Sequence, residues 1–477
     1  MKPYNRIGFG VILFIATLTT SIGQVRIDVP VTNILNGTEL TVVKNILYTD
    51  TDKWEPGGTS PSIWSISGAY FTHTSLPGVS LPASILQWQL ESIGGVPAPF
   101  RSQDVLPGFQ WFSTSPKNWY EPHSAAGHFI PGNVAFEFKI SAEAFLSHSF
   151  VPGEYSLTVA QNYGSTSPIG SMSPDNVQII IVIPTTITLE WISNNTSRYH
   201  EVTSLNSYRS PGNYQFSLGT TEITNSVDFT FWARAISSSI QFTSSSGATG
   251  SRSPSLIKLG STNPKIITSS VSTIWKNYTP INPFTAVAGN RNTFELLFSI
   301  SKDDFQEYFF EAGTYTLQML YDARSTDHTS SASQNMDVTM EVHPLSEIII
   351  PGSGQTVNFK FNSPQQYSQG QSKVVPGQIK LSNNEDFELY VKSGTNFFTK
   401  SGVQSDVASN ILQIGIDGAS ANVPLNVVPQ KIISNGNPVL DEELNIKYTI
   451  PAHQAQGLIS KEKTTYSIDV IYSFTAL

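Results

Sequence analysis

The chain has 477 residues, 13% of them charged, a formal net charge of −9 and no cysteine. An acidic balance argues against nucleic acid as the main partner, because polyanion binders present basic surfaces. The lack of cysteine excludes disulfides, a thiolate metal site, a thiol nucleophile and a lipid anchor on an N-terminal cysteine.

Lys2 and Arg6 flank the start of an apolar run from Ile7 to Leu18, and Ser21-Ile22-Gly23 sets small residues before Gln24. This is the layout of a secretory signal peptide, residues 1–23. The run of about a dozen residues is shorter than the roughly 20 that span a bilayer, and no later stretch is long and apolar enough. The expectation is an exported protein, secreted or on the cell surface, with the periplasm as a transit compartment and no transmembrane segment in the mature chain.

Ser84-Ile85-Leu86-Gln87-Trp88 resembles Asn410-Ile411-Leu412-Gln413-Ile414 further along the chain. Trp111, Phe112, Trp119 and Tyr120 then lie among Gly, Pro, Ser and Asn, the composition of a loop or sheet edge. Exposed rings beside Asn and Glu hold sugars by stacking plus directed hydrogen bonds. These four are therefore the candidate ligand-binding residues, with a glycan as ligand. Against this, Lys117-Asn118-Trp119-Tyr120-Glu121-Pro122 resembles Lys276-Asn277-Tyr278-Thr279-Pro280, and a repeated feature more often serves the scaffold. Glu121, His123 and His128 are near enough in sequence to reach one metal, and Asp50, Asp52 and Glu55 beside Gly57-Gly58 hint at a calcium loop. Neither has a full ligand spacing. Exposed turn residues explain both, and no metal or other cofactor is expected.

Residues 135–163 read AFEFKISAEAFLSHSFVPGEYSLTVAQNY. Phe136, Phe138 and Ile140 share one face, as do Tyr155, Leu157 and Val159, which is the period of half-buried antiparallel strand. The pattern returns at 294–321 and at 444–472. Ile140 to Tyr155 and Ile300 to Tyr315 are each 15 residues, and Ile450 to Tyr466 is 16. Between them, Ser141 and Ser301 are placed to cap a helical turn, with Asp304 completing a capping-box arrangement. Two further correspondences lie upstream: Ser84–Trp88 with 410–414 and, more weakly, 256–259; and 227–231 with 385–389. Repetition at this period means duplicated domains rather than a solenoid. Val182-Ile183-Pro184 and Val342-His343-Pro344 each end an apolar strand, and proline marks strand ends. The expected units are 24–184, 185–345 and 346–477.

Short strands, frequent turn signals and few helical patterns make this an all-β chain of three tandem sandwiches. Pro152-Gly153-Glu154-Tyr155 and Ala312-Gly313-Thr314-Tyr315 resemble the tyrosine corner of the immunoglobulin superfamily, where a tyrosine opening strand F bonds its hydroxyl back to the preceding connection. The resemblance implies immunoglobulin-like sandwiches. The third copy, Thr464-Thr465-Tyr466, lacks the glycine.

A strand follows the tyrosine strand in the first unit (176–183) and in the second (336–342). In the third unit Tyr466, Ile468, Val470, Tyr472 and Phe474 alternate up to Leu477, and the expectation is a sandwich that lacks its last strand. This unit resembles a pilin domain of chaperone–usher fimbriae, whose alternating terminal strand is completed by one donated from another protein chain. The glycine that pilins carry upstream of that strand is absent, and the tyrosine near the terminus, Tyr472, sits further in. The resemblance implies assembly by strand addition, with Tyr466, Ile468, Val470, Tyr472 and Phe474 as the assembly edge. A unit completed within itself remains the alternative.

No G-x-S-x-G, H-E-x-x-H, P-loop or G-x-G-x-x-G pattern occurs, so no catalytic residues are assigned and a non-enzyme is expected. The reading is a non-enzymatic cell-surface or fimbria-associated structural or adhesive protein assembling through its C-terminal β-domain. The alternative is an exported array of carbohydrate-binding modules.

Overall fold

The computed structural model describes residues 23–47, 61–93, 96–97, 108–118, 133–163, 174–192, 196–352, 355–419 and 422–476. Three separate apolar clusters organise them, each enclosed by two facing sheets. Residues 1–22 of the expected leader lie outside the described residues, and Gly23, its last residue, opens a strand. No helix among them is long and apolar enough to cross a membrane.

In the first unit the main strands are β1 (Gly23–Asp28), β2 (Leu40–Leu47), β3 (Pro61–Ser65), β4 (Leu86–Ile93), β5 (Asn133–Ile140), β6 (Gly153–Tyr163) and β7 (Asn176–Ile183). One sheet runs β1-β7-β6-β3 and the other β2-β5-β4, with β1 parallel to β7 and the other pairs antiparallel. The second unit has β8 (Ile187–Trp191), β9 (Ser197–Val202), β10 (Tyr214–Asn225), β11 (Phe229–Ala235), β12 (Ile257–Ser261), β13 (Arg291–Ile300), β14 (Gly313–Ser325) and β15 (Ser331–Val342). Its sheets are β9-β15-β14-β11 and β8-β10-β13-β12, with β9 parallel to β15. The third has β16 (Ser346–Ile349), β17 (Gly370–Asn383), β18 (Phe387–Ser393), β19 (Gln413–Ile416), β20 (Gln430–Gly436), β21 (Val439–Pro451) and β22 (Val470–Ala476). One sheet is β16-β17-β21-β19 and the other β20-β18-β22. This two-sheet order is that of immunoglobulin-like sandwiches.

The repeat is exact in register. Phe138 pairs with Trp88, Phe298 with Leu259 and Tyr448 with Ile414. Val159 pairs with Ser65, Met319 with Ala235 and Val470 with Ser393. Each of these lies four residues beyond its tyrosine, so Tyr155, Tyr315 and Tyr466 occupy one structural position. All three hydroxyls donate to the carbonyl four residues back: Val151 at 3.1 Å, Glu311 at 3.0 Å and Glu462 at 3.1 Å. A buried phenol needs such a partner, and the tight return that supplies it fixes the spacing seen in the sequence. A short helix fills each connection: Ala142–Ser147, Lys302–Tyr308 and Ala452–Gly457. Ser141 and Ser301 cap the first two, accepting the amides of Ala144 and Asp304 at 3.2 Å. In the third, Pro451 stands at the cap and has no side-chain oxygen to offer.

Phe138 is 2% exposed and packs against Phe136 and Phe112. Phe138→Ala should lower stability by about 3–5 kcal/mol, read as a fall in the thermal midpoint of the intact chain. A near-neutral result would place that face in solvent.

The junctions between units repeat too. After β10, Ser226 accepts the Thr186 amide at 2.7 Å and donates to the Pro184 carbonyl at 3.0 Å. After β17, Asn384 accepts the Leu345 amide at 2.6 Å and donates to the His343 carbonyl at 2.9 Å. One side chain thus holds each linker from the turn of the following unit. At the second junction Arg209 pairs with Asp441 at 2.7 Å and Glu347 at 2.5 Å. Hydrogen bonding to Arg209 holds the Asp441 carboxyl below its ordinary value of 3.8. A depressed acid contributes stability in full above that ordinary value and loses it as pH falls through the lower folded one. Small-angle scattering of the intact chain should therefore be constant from neutrality to about pH 5 and report a looser second junction only in stronger acid. Asn384→Ala should loosen it at neutral pH.

Candidate functional site

In β6 the inward row Tyr155, Leu157 and Val159 is 0% exposed, and in β14 Tyr315, Leu317 and Met319 are 2%, 3% and 0% exposed. Both strands are covered along one edge by β7 or β15, which are covered in turn by parallel β1 or β9. The alternation that makes one face of each strand apolar is thus matched by a neighbour that seals it.

In the third unit the equivalent row is Tyr466, Ile468, Val470, Tyr472 and Phe474. All five are only half-buried. Ile468, Val470, Tyr472 and Phe474 pack against the core cluster without closing over it. β22 pairs with β18 on one side, and among the described residues no strand pairs with its other edge. Residues 356–362 stand in the chain order where β1 and β9 stand, before a short helix and the next strand. They carry Val357, Phe359 and Phe361, which are half-buried against the same core and belong to no ladder among the described residues. Two apolar rows therefore pack, half-buried, on the core of a unit in which no strand among the described residues takes the place of β7 and β15.

The electrostatics of the edge are mild. Tyr472 and Tyr448 hydroxyls lie 2.7 Å apart, one donating to the other, and burial pushes both phenols up, so both stay neutral in the physiological range. The row is apolar apart from its two tyrosine hydroxyls, which suits the edge to backbone pairing and apolar side chains. The sequence identified the β22 row through its alternation. It missed 356–362, although Val357, Phe359 and Phe361 alternate there in the same way.

The aromatic candidates of the first unit separate. Trp111 is 52% exposed, with Lys117 Nζ 5.6 Å from its ring centre. Phe112 is 3% exposed and stacks on Phe138, 6.5 Å between ring centres, so it serves the core. Trp119 and Tyr120 lie outside the described residues, as do Glu121, His123, His128, Asp50, Asp52 and Glu55. Lys117–Asn118 pairs with β3 as Lys276–Asn277 pairs with β11, so that repeated dipeptide is an edge strand of the scaffold.

Elsewhere Glu201, Glu341 and His343 bring ligand atoms within 4.8 Å of one another on neighbouring strands. Tyr199 donates to Glu341, and His343 lies 3.3 Å from Glu201, so the cluster is already cross-linked by its own hydrogen bonds.

No known family model matches the chain, and no curated protein matches it by sequence. Among solved structures it is similar to CfaE, the adhesive subunit of the CFA/I fimbria of enterotoxigenic Escherichia coli. That match has 10% identity over 68% of this chain and 98% of the other, with a TM-score of 0.29. It is also similar to the CooA pilin subunit from enterotoxigenic Escherichia coli, at 12% identity over 33% of this chain and 99% of the other, TM-score 0.22. Mouse cadherin-23 EC22-24 matches at 10% identity over 78% of this chain and 96% of the other, TM-score 0.17.

Proposed function

We propose that this protein is a non-enzymatic structural and adhesive component of a cell surface or fimbria, reaching it by export, and that its third unit, 346–477, assembles by taking up a strand from another protein chain. The units 24–184 and 185–345 then stand outward from that attachment. The observation that carries this reading is the contrast between the sealed rows of β6 and β14 and the half-buried row of β22.

The first two units supply the template for the incoming strand. Tyr155 faces Ile181, Leu157 faces Ile179 and Val159 faces Val177. Tyr315 faces Met340, Leu317 faces Val338 and Met319 faces Met336. A completing strand runs antiparallel to β22 and parallel to 356–362, with apolar residues opposite Tyr466, Ile468 and Val470. Each such side chain contributes about 1.5–3 kcal/mol on burial, in addition to a backbone ladder along an otherwise open edge.

The test is hydrogen exchange on the intact chain and on a variant with residues 333–342 copied behind Leu477 through a flexible linker. The variant should be monomeric, and the amides of β22 on its open edge should become protected. Unchanged exchange, with the parent chain already protected there, would show the edge to be covered and would end the assembly reading.

A further inference from the structure

We propose that the outer face of the β9-β15-β14-β11 sheet, in the second unit, binds an acidic glycan whose carboxylate or sulfate groups are taken by Arg234. The face is built as a ladder of rings and guanidiniums. Along β11, Phe231, Ala233 and Ala235 are 0% exposed, which turns Trp232 and Arg234 outward. Trp275 precedes the edge strand Lys276–Asn277, which pairs with β11. The Arg324 guanidinium carbon, from β14, lies 4.8 Å from the Trp232 ring centre and 4.5 Å from that of Trp275, and Arg234 lies 5.2 Å from Trp275.

Two members of the ladder are satisfied internally. Trp232 Nε1 donates to Thr230 at 2.8 Å, and Arg324 pairs at 2.5 Å with Asp322, itself 4% exposed. Arg234 differs. It has no ion pair among the described residues, and its Nε is buried with no acceptor. In the third unit the equivalent cluster carries its own acid. By register Tyr390 stands for Trp232, Lys392 for Arg234 and Glu388 for Thr230, and Glu388 binds both Lys431 and the Tyr390 hydroxyl. The second unit has a hydroxyl where the third has that carboxylate, so the outward row of β11, Thr230, Trp232 and Arg234, carries no acid of its own.

The surroundings select the class of anion. Both edges of β11 are paired, with β14 and with Lys276–Asn277, so a peptide cannot add as a strand here. What the face offers is flat apolar surface beside a guanidinium held in place by stacking: Ile274 is 76% exposed and Ile236 42%. Their segments are joined by the Ala235 amide donating to Ser272 O at 2.8 Å. A sugar ring meets such a surface through its C–H face while its acid group pairs bidentately with arginine.

The experiment measures binding of the intact chain to heparin and to hyaluronan, with dextran as the neutral control and polyglutamate as the acidic peptide. One or both acidic polysaccharides should bind and dextran should not; heparin alone assigns sulfate, hyaluronan alone carboxylate. Arg234→Gln should weaken binding about tenfold or more, with Arg234→Lys intermediate and the thermal midpoint unchanged. Should Arg234→Gln fail to fold, Ile274→Ser, at an exposed position, should still reduce binding. The proposal is overturned if neither polysaccharide binds, if neither variant weakens binding, or if polyglutamate binds as tightly.

Discussion

A peptide with the sequence of residues 333–342, SQNMDVTMEV, should bind the intact protein and raise the melting temperature of its third unit. In its own place this segment lays Met336, Val338, Met340 and Val342 inward against β14, all at most 4% exposed, with polar residues between them. Against β22 the same alternation would set its methionines and valines between the Ile468–Val470–Phe474 row and the Val357–Phe359–Phe361 row. At a hundredfold excess over its dissociation constant such a ligand stabilises by about 2.7 kcal/mol, enough to shift the transition by several degrees. A peptide of the same composition with neighbouring residues exchanged in pairs puts its apolar side chains on the wrong face, since a one-residue slip inverts a strand, and should do nothing. The second unit is an internal control, because β15 already fills its site. Binding by both peptides alike would mean apolar stickiness rather than strand addition.

The sequence made the tyrosine corners and the β5–β6 type connections legible because they are local. A phenol bonded four residues back, a capped helical turn and two alternating strands fit within 30 residues, and little else in the fold intrudes on them. Strand β3, the first unit's counterpart of 227–231 and 385–389, is not legible in the sequence: it pairs with the end of β6 and its length is only five residues, Pro61–Ser65. Phe112 was grouped with Trp111 on composition. Neighbours on a strand face opposite ways, so one ring turns to Trp88 and Phe138 while the other stays in solvent. The Arg234–Trp275–Arg324–Trp232 ladder was invisible for a different reason. Its members come from two strands and a loop, and only the register of β11 against β14 brings them together. The open edge lies between these cases. Alternation marks a strand, but whether its face is sealed depends on a neighbour that is distant in sequence or on another chain.

That dependence makes one pair of substitutions decisive. Leu317 and Ile468 occupy the same structural position, two residues beyond Tyr315 and Tyr466. Leu317 is 3% exposed beneath Val338, whereas Ile468 is half-buried with nothing opposite it among the described residues. Leu317→Ala should cost about 2–5 kcal/mol, the range for a sealed core site. Ile468→Ala removes three carbons that are only partly out of water, and should cost about 1 kcal/mol in the intact chain. With the 333–342 peptide bound, the Ile468 side chain becomes core, and its truncation should approach the Leu317 cost, read as loss of the peptide-induced stabilisation. Chemical denaturation followed by a probe in each unit separates the two transitions. If Ile468→Ala already costs as much as Leu317→Ala without peptide, the β22 face is sealed within the chain, and no strand from another protein is needed to explain it.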